Sequence, residues 1–295
     1  MPDPMPPFRL HPARAAPAPL VFDSPHSGSW FPDDFGHCVT ESELRSAEDC
    51  YIQELYASAP LHGAALLEAT FARTYVDANR SEADVDPELI DGDWPHPVAG
   101  TLKGRLGQSL VWRNLSDGRP IYARKLSVAE MMRRIERFLH PYQHALRALI
   151  DDTHARHGVV YHVNCHSMQS VGGKMSQDGP GTRRPEIALG DRDGTTCSPE
   201  FTALVRDALI EAGYEVRVND PYKGVELVRA FSAPHAGRHS LQIEINRALY
   251  MDERTLRKNE GYDRLLADIE RLIARVAQYA HARARDESLP ARTRG

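Results

Sequence analysis

Apolar positions recur along this chain in two rhythms. Short runs rich in β-branched and aromatic residues, bounded by proline, glycine or polar clusters, read as strands. They are Leu20-Val21-Phe22-Asp23, Ala65-Leu66-Leu67-Glu68-Ala69, Thr74-Tyr75-Val76, a run over 158–166 that ends at His166, Ile187-Ala188-Leu189-Gly190, residues 213–218 and residues 239–246. Helical spacing is clearest over 127–157, where Met131, Ile135, Phe138, Leu139, Leu146 and Leu149 fall on one side. Ser127-Val128-Ala129-Glu130 opens that helix as a capping box, and Pro141 is expected to kink or split it. Thr40-Glu41-Ser42-Glu43 caps a second helix, expected to run to about Ala57. Ser198 opens a third, and a charged helix is expected over about 252–284. Residues 81–105 and 170–184 lack either rhythm and read as loops, the first long enough to act as a lid.

Strands alternating with helices predict an α/β fold with a mixed, mostly parallel sheet covered on both faces. With no repeats and no linker composition, a single domain is expected over 20–285. A Pro- and Ala-rich, poorly ordered lead-in is expected over 1–19, and a disordered tail over 286–295. The chain has 295 residues and a formal net charge of -5, which gives no basic footprint for nucleic acid. No apolar run is long enough to span a membrane, and the N-terminus lacks the apolar core of a secretory signal. The four cysteines are scattered without a CxxC pair, which argues against a thiolate zinc site or a disulfide framework and for a reduced, cytoplasmic protein. Among the histidines, His140, His144, His154 and His157 belong to the long helix and read as surface residues.

Two strand ends carry the candidate chemistry. Ser24-Pro25-His26-Ser27-Gly28 and Cys165-His166-Ser167-Met168 each deliver a histidine from the end of a strand, where α/β folds place ligands and metals. A catalytic zinc takes three protein ligands and leaves a position for water. Glu48 or Asp49 is the candidate acidic partner, and adjacent helical residues cannot both face it. Hydrogen-bonded core histidines and a surface acid are the competing reading. In Gln242-Ile243-Glu244-Ile245-Asn246 the two-residue period puts Glu244 on the polar face, either as a general base or on the solvent side of an edge strand. Arg80 suits a substrate carboxylate or an ion pair with Asp77 or Asp84. Cys165, facing away from His166, reads as core.

Taken in order, these segments resemble the N-formylglutamate amidohydrolase family over roughly residues 20–255. The matching pieces are Ser24-Pro25-His26-Ser27-Gly28, Glu48-Asp49, Val76-Asp77-Ala78-Asn79-Arg80, Gly118-Arg119-Pro120-Ile121-Tyr122 and Cys165-His166-Ser167-Met168. They continue with Leu189-Gly190-Asp191-Arg192-Asp193-Gly194-Thr195, Asn219-Asp220-Pro221-Tyr222-Lys223-Gly224 and Leu241-Gln242-Ile243-Glu244-Ile245-Asn246. The resemblance implies a three-layer α/β/α, phosphorylase/hydrolase-like core related to zinc carboxypeptidases. It also implies a divalent metal, zinc or a substitute such as cobalt, on His26, Asp49 and His166, with Glu244 as the base. Asn79 and Arg80 would grip a carboxylate of a small anionic N-acyl amino acid, with a second cation among Lys223, Arg184 and Arg192. The implied reaction is hydrolysis of N-formyl-L-glutamate to glutamate and formate, as in histidine breakdown. Another acidic N-acyl amino acid, or acidic-ligand binding without catalysis, are the alternatives. Two departures from the family pattern stand out: Asn164 where relatives often carry Asp, and Gly224-Val225 where a glycine pair is usual.

Overall fold

Seven strands build the central sheet of the computed structural model, which describes residues 5–287 and side chains to 284. They are β1 (Phe8–His11), β2 (Leu20–Ser24), β3 (Ala65–Ala69), β4 (Val160–Met168), β5 (Ile187–Gly190), β6 (Val216–Val218) and β7 (Arg238–Asn246). Their spatial order is β1-β3-β2-β4-β7-β5-β6. The β3-β2-β4-β7 centre and the β5–β6 pair are parallel, while β1 on β3 and β5 on β7 run antiparallel. The sheet is therefore mixed and mostly parallel, as the alternation of strands and helices predicts.

Strand alternation sorts the core into two layers. Leu20 and Phe22 of β2, Tyr161, Val163 and Cys165 of β4, and Leu241, Ile243 and Ile245 of β7 face one side. There they pack on α3 (Pro199–Glu211) and α5 (Tyr262–Glu287) through residues such as Phe201, Val205, Leu265 and Ile269. Before these in the chain come α1 (Val128–Arg134) and α2 (His140–His157), which cover the opposite face through Met131, Tyr142, Leu146 and Ile150. A short α4 (Glu226–Phe231) joins them there, packing Leu227 and Phe231 into the same layer. Cys165 is fully buried in the first layer, so it is core. All four cysteines are free.

Several elements differ from the sequence reading. The lead-in contributes β1, which covers the otherwise open edge of β3 and sets Arg9 on Glu68 at 2.6 Å. Residues 286 and 287 close α5, and the rest of the expected tail lies outside the described residues. Thr74-Tyr75-Val76 forms turns rather than a strand, with Tyr75 and Val76 packed inward. The capping box at Ser127 is present, but Pro141 does not split the helix. A π-helical turn over Ile135–Leu139, directly before it, joins α1 to α2. The last helix begins ten residues later than expected, because Met251–Asp252 pairs with Arg257–Lys258 as a small hairpin. The helix opened at Thr40 breaks after Arg45 and resumes at Ile52–Leu55, with Tyr51 at φ 67.

Candidate metal centre and substrate cavity

That broken helix builds one side of the site. Ser46 carbonyl is held by Arg247 Nη1 at 2.8 Å, and the Asp49 amide donates to the His26 carbonyl at 2.9 Å. These contacts interrupt the helix and turn Asp49 toward the strand ends, while Glu48 turns away to Arg45. His26 itself leaves β2 through Pro25 into a tight turn. A Cβ on Gly28 would lie 2.3 Å from the Phe71 carbonyl oxygen, so only glycine lets this turn press against the backbone beyond β3. His166 projects from β4 on the face covered by α1 and α2, in register with Glu244 of β7.

The donor atoms of His26, Asp49 and His166 lie within 4.8 Å of one another, and all three residues are buried. His26 Nδ1 is 3.5 Å and His166 Nδ1 3.1 Å from Asp49 Oδ2, and the two Nδ1 atoms are 3.0 Å apart. The far nitrogen of each ring is already used. His26 Nε2–H donates to Asp77 Oδ1 at 2.6 Å, and His166 Nε2–H donates to Asn164 Oδ1 at 2.7 Å. Asp77 sets Nε2–H on His26. On His166 the shorter contact to Asn164 Oδ1 favours the same tautomer over the 2.9 Å approach of Asn79 Nδ2. Both Nδ1 lone pairs are thus left facing the Asp49 carboxylate, the arrangement metal-binding histidines have. Two imidazoles and one carboxylate are a catalytic zinc donor set, so the residues fit the group. Burial pushes the Asp49 carboxyl up, but the neighbouring His166 and His26 and the charge of Arg73 outweigh it, holding the group well below its ordinary range. Asp77 is held low in the same way, against burial, by His26 and the charge of Arg73.

Glu244 sits beside this triad on an internal strand, between β4 and β5, rather than on an edge. Gln242 Nε2 donates to its Oε1 at 2.9 Å. Burial raises its carboxyl above the ordinary range against the pull of His166, and the charge of Asp49 adds to the rise. Glu244, His26 and His166 open onto a cavity of about 430 Å³. Its other walls carry Arg73, Arg80, Lys103, Trp112, Arg184 and Tyr222.

The expected substrate residues divide on inspection. Arg80 lines the cavity, 5% exposed, with Asp84 at 3.4 Å and Asp77 at 3.9 Å, and its Nε has no hydrogen-bond partner. Asn79 is committed elsewhere: its Nδ2 donates to Asn164 Oδ1 at 3.2 Å, and its Oδ1 accepts from the Leu227 amide at 2.9 Å. It braces the His166 support instead of offering a free amide. Arg184 lines the cavity but is spent on Asp178, Ser176 and the Gln169 carbonyl. Lys223 contributes to the wall, yet its ammonium pairs with Asp193 in an exposed salt bridge. Arg192 does not line the cavity and donates to the Gly224 carbonyl.

Comparison with known proteins gives the family. The profile of the N-formylglutamate amidohydrolase family matches residues 18–251. The chain belongs to the N-formylglutamate amidohydrolase family. A solved N-formylglutamate amidohydrolase from Ralstonia eutropha is 44% identical, covers 94% of this chain and 99% of its own, and superposes with a TM-score of 0.90. An N-formylglutamate deformylase of Pseudomonas aeruginosa is 28% identical over 80% of this chain and 83% of its own length. An Agrobacterium tumefaciens protein, 18% identical with a TM-score of 0.64, shares the fold across 95% of this chain.

Within this family member, sequence reasoning overlooked four contributors. Arg73 reaches Asp77 at 3.0 Å and Asp49 at 3.5 Å and lies over the Trp112 ring. Arg247 holds Asp49 Oδ1 at 3.1 Å and Ser167 Oγ at 3.0 Å. Asp77 orients His26, and Lys103 lines the cavity from the segment expected to be a lid. Asp77 had a local signal, a carboxylate two residues before Asn79. Arg73, Lys103 and Arg247 belong to no periodicity or local pattern that marks a cation for the site. Asn164 also gains a role: its Nδ2 donates to Asp23 Oδ1 at 2.7 Å, which ties His166 to a carboxylate one residue removed. Asp23 accepts in addition from His162 and Tyr142, so the charge displaced from position 164 stands behind it.

Proposed function

We propose that this chain hydrolyses N-formyl-L-glutamate to glutamate and formate, using a divalent metal, zinc by donor type, on His26, Asp49 and His166. The observation that carries the metal reading is the pair of Nδ1 atoms turned toward one carboxylate, each ring fixed by a hydrogen bond from its other nitrogen. The substrate reading is supported by the activities for which the relatives are named and by a cationic cavity beside the triad.

When bound, the ion supplies Lewis acidity toward the formyl carbonyl and makes a nearby water more acidic. The protein does the remainder. Glu244, its carboxylate raised by burial, takes a proton from the attacking water and delivers it to the departing amine nitrogen. Asp77 and Asn164 keep His26 and His166 in the ligating tautomer. Arg247 and Arg73 hold the Asp49 carboxylate in place. Arg80, adjacent in sequence to the Asn79 that braces His166, binds the α-carboxylate next to the scissile amide.

The test is release of glutamate and formate from N-formyl-L-glutamate by purified protein, before and after chelation and metal readdition. Activity indifferent to a chelator that strips the bound metal would exclude the metal mechanism. Absence of formate release by the metal-loaded protein would exclude the reaction. Localisation in the cytoplasm is part of the same proposal; the described residues contain no helix long and apolar enough to cross a membrane.

A further inference from the structure

We propose that Lys103 reads the side-chain carboxylate of the substrate and so sets the preference for a dicarboxylic N-acyl amino acid. The inference rests on the proposed reaction for the identity of the substrate, and on the cavity wall for the residue.

The cations of the wall are used in different ways. Arg247 and Arg184 have their donors taken by protein oxygens. Arg73 is tied to Asp49 and Asp77 through its terminal nitrogens, leaving only its buried Nε unpartnered, and Lys223 turns its ammonium out to Asp193. Arg80 keeps a buried Nε without a partner beside two loose contacts to carboxylates. Among the described lysines and arginines of the wall, Lys103 is the one with no hydrogen bond and no ion pair. Its Nζ rests 5.2 Å from the centroid of the Tyr222 ring. A partly buried ammonium without a counter-ion, next to two guanidiniums, is an arrangement that an anion relieves. Burial, and after it the charges of Arg80 and Arg73, lower the ammonium to about 8.

Position supports the same role. Lys103 belongs to a short helical turn, Leu102–Arg105, capped by Thr101. Thr101 is bound through its amide and hydroxyl to Asp84, at 3.1 and 3.0 Å, and Asp84 also faces Arg80 Nη1. A Cβ on Gly104 would approach Asp84 Oδ1 to 2.8 Å, so glycine lets the turn sit this close. The turn that carries Lys103 and the Arg80 guanidinium are thereby anchored to one carboxylate, Asp84. A substrate with two carboxylates can engage both cations, and one with a neutral side chain leaves the ammonium unpaired. Rejection of the neutral analogue then follows from an unsatisfied charge, which discriminates more strongly than a missing apolar contact.

The experiment compares the full-length, metal-loaded protein with its Lys103→Met and Lys103→Arg variants on N-formyl-L-glutamate and N-formyl-L-glutamine. The second substrate replaces only the side-chain carboxylate by an amide. Lys103→Met is expected to lower kcat/KM on the glutamate substrate about 30- to 100-fold, chiefly through KM, as loss of a charged hydrogen bond does. On the glutamine substrate it should change kcat/KM less than about threefold, and Lys103→Arg should retain most of the preference. Equal losses on both substrates, or no preference in the unmodified protein, overturn the proposal. Calorimetric titration with glutarate gives a readout independent of turnover: Lys103→Met should bind about tenfold or more weakly. Equal affinity, or no glutarate binding by the unmodified protein, overturns it. A protein that releases no formate but shows the glutarate difference keeps the dicarboxylate site and loses the proposed reaction. Should Lys103→Met fail to fold, Lys103→Gln provides the same comparison.

Discussion

The two walls of the cavity are built in different ways. On the sheet side, the candidate chemical groups are held by protein partners. His26 and His166 each have their second nitrogen bound, and Asp49 is gripped by Arg247 and Arg73. The strands behind them carry a buried hydrogen-bond chain from Asn164 through Asp23 to His162 and Ser240. On the loop side, the cations stand on turns and irregular segments, and three of them keep unused donors: Arg73 Nε and Arg80 Nε lack partners and Lys103 has no ion pair. The contrast matches the tasks. Bond cleavage needs donor atoms fixed before the substrate arrives, whereas recognition needs donors left free for it.

Breaking the sheet wall should have the largest consequences. His166→Ala removes one donor of the triad and is expected to abolish both metal retention and turnover, read by metal analysis of the purified protein beside the formate assay. Glu244→Gln separates the two, keeping the metal while lowering kcat about a thousandfold, as loss of a general base does. Near-normal turnover in that variant would remove Glu244 from the mechanism. One layer further back, Asp77→Asn keeps the shape but loses the charge behind His26. Metal affinity should fall about 10- to 100-fold, measured by competition with a chelator.

The loop wall should answer to pH rather than to metal. Lys103, lowered to about 8 by burial and by Arg80 and Arg73, is charged below that value and neutral above it. Glu244 and Asp77 also face it and oppose the loss of charge, and Tyr222 covers it. A carboxylate ligand favours the charged form, so affinity is full on the acid side and declines as pH rises through and beyond about 8. KM for N-formyl-L-glutamate should rise across that range, and in Lys103→Arg the rise should be largely absent. A pH-independent KM in the unmodified protein would count against a charged Lys103 in binding. The smallest effect is expected at Lys223. Its ammonium is exposed and paired with Asp193, so Lys223→Ala should leave kcat/KM within about threefold, in keeping with the small worth of surface ion pairs.

Much of the sheet was legible because burial imposes periodicity. Leu241, Ile243 and Ile245 alternate with Gln242 and Glu244, and the alternation alone placed Glu244 on the polar face. Helix ends at Thr40, Ser127 and Ser198 were legible for the same local reason, since a side-chain oxygen must satisfy free amides nearby. What local pattern misjudged was continuity. The broken helix at 46–51 depends on Arg247, about two hundred residues later in the chain, reaching Ser46, and no window around Asp49 contains that contact. β1 likewise needed the free edge of β3, which exists only once the sheet is assembled.

The alternating strands, the helix caps, the strand-end histidines and, through its ordered motifs, the family are all written in the order of the residues. Tertiary structure decided which groups meet. It turned Asp49 inward, committed Asn79 to bracing His166, sent the Lys223 ammonium outward and left Lys103 on the wall without a counter-ion. The physical reason is range. Periodicity and capping act over a few residues, so they are written locally. Charge satisfaction in a cavity is settled by partners up to two hundred residues apart, and these become neighbours only when the chain has folded.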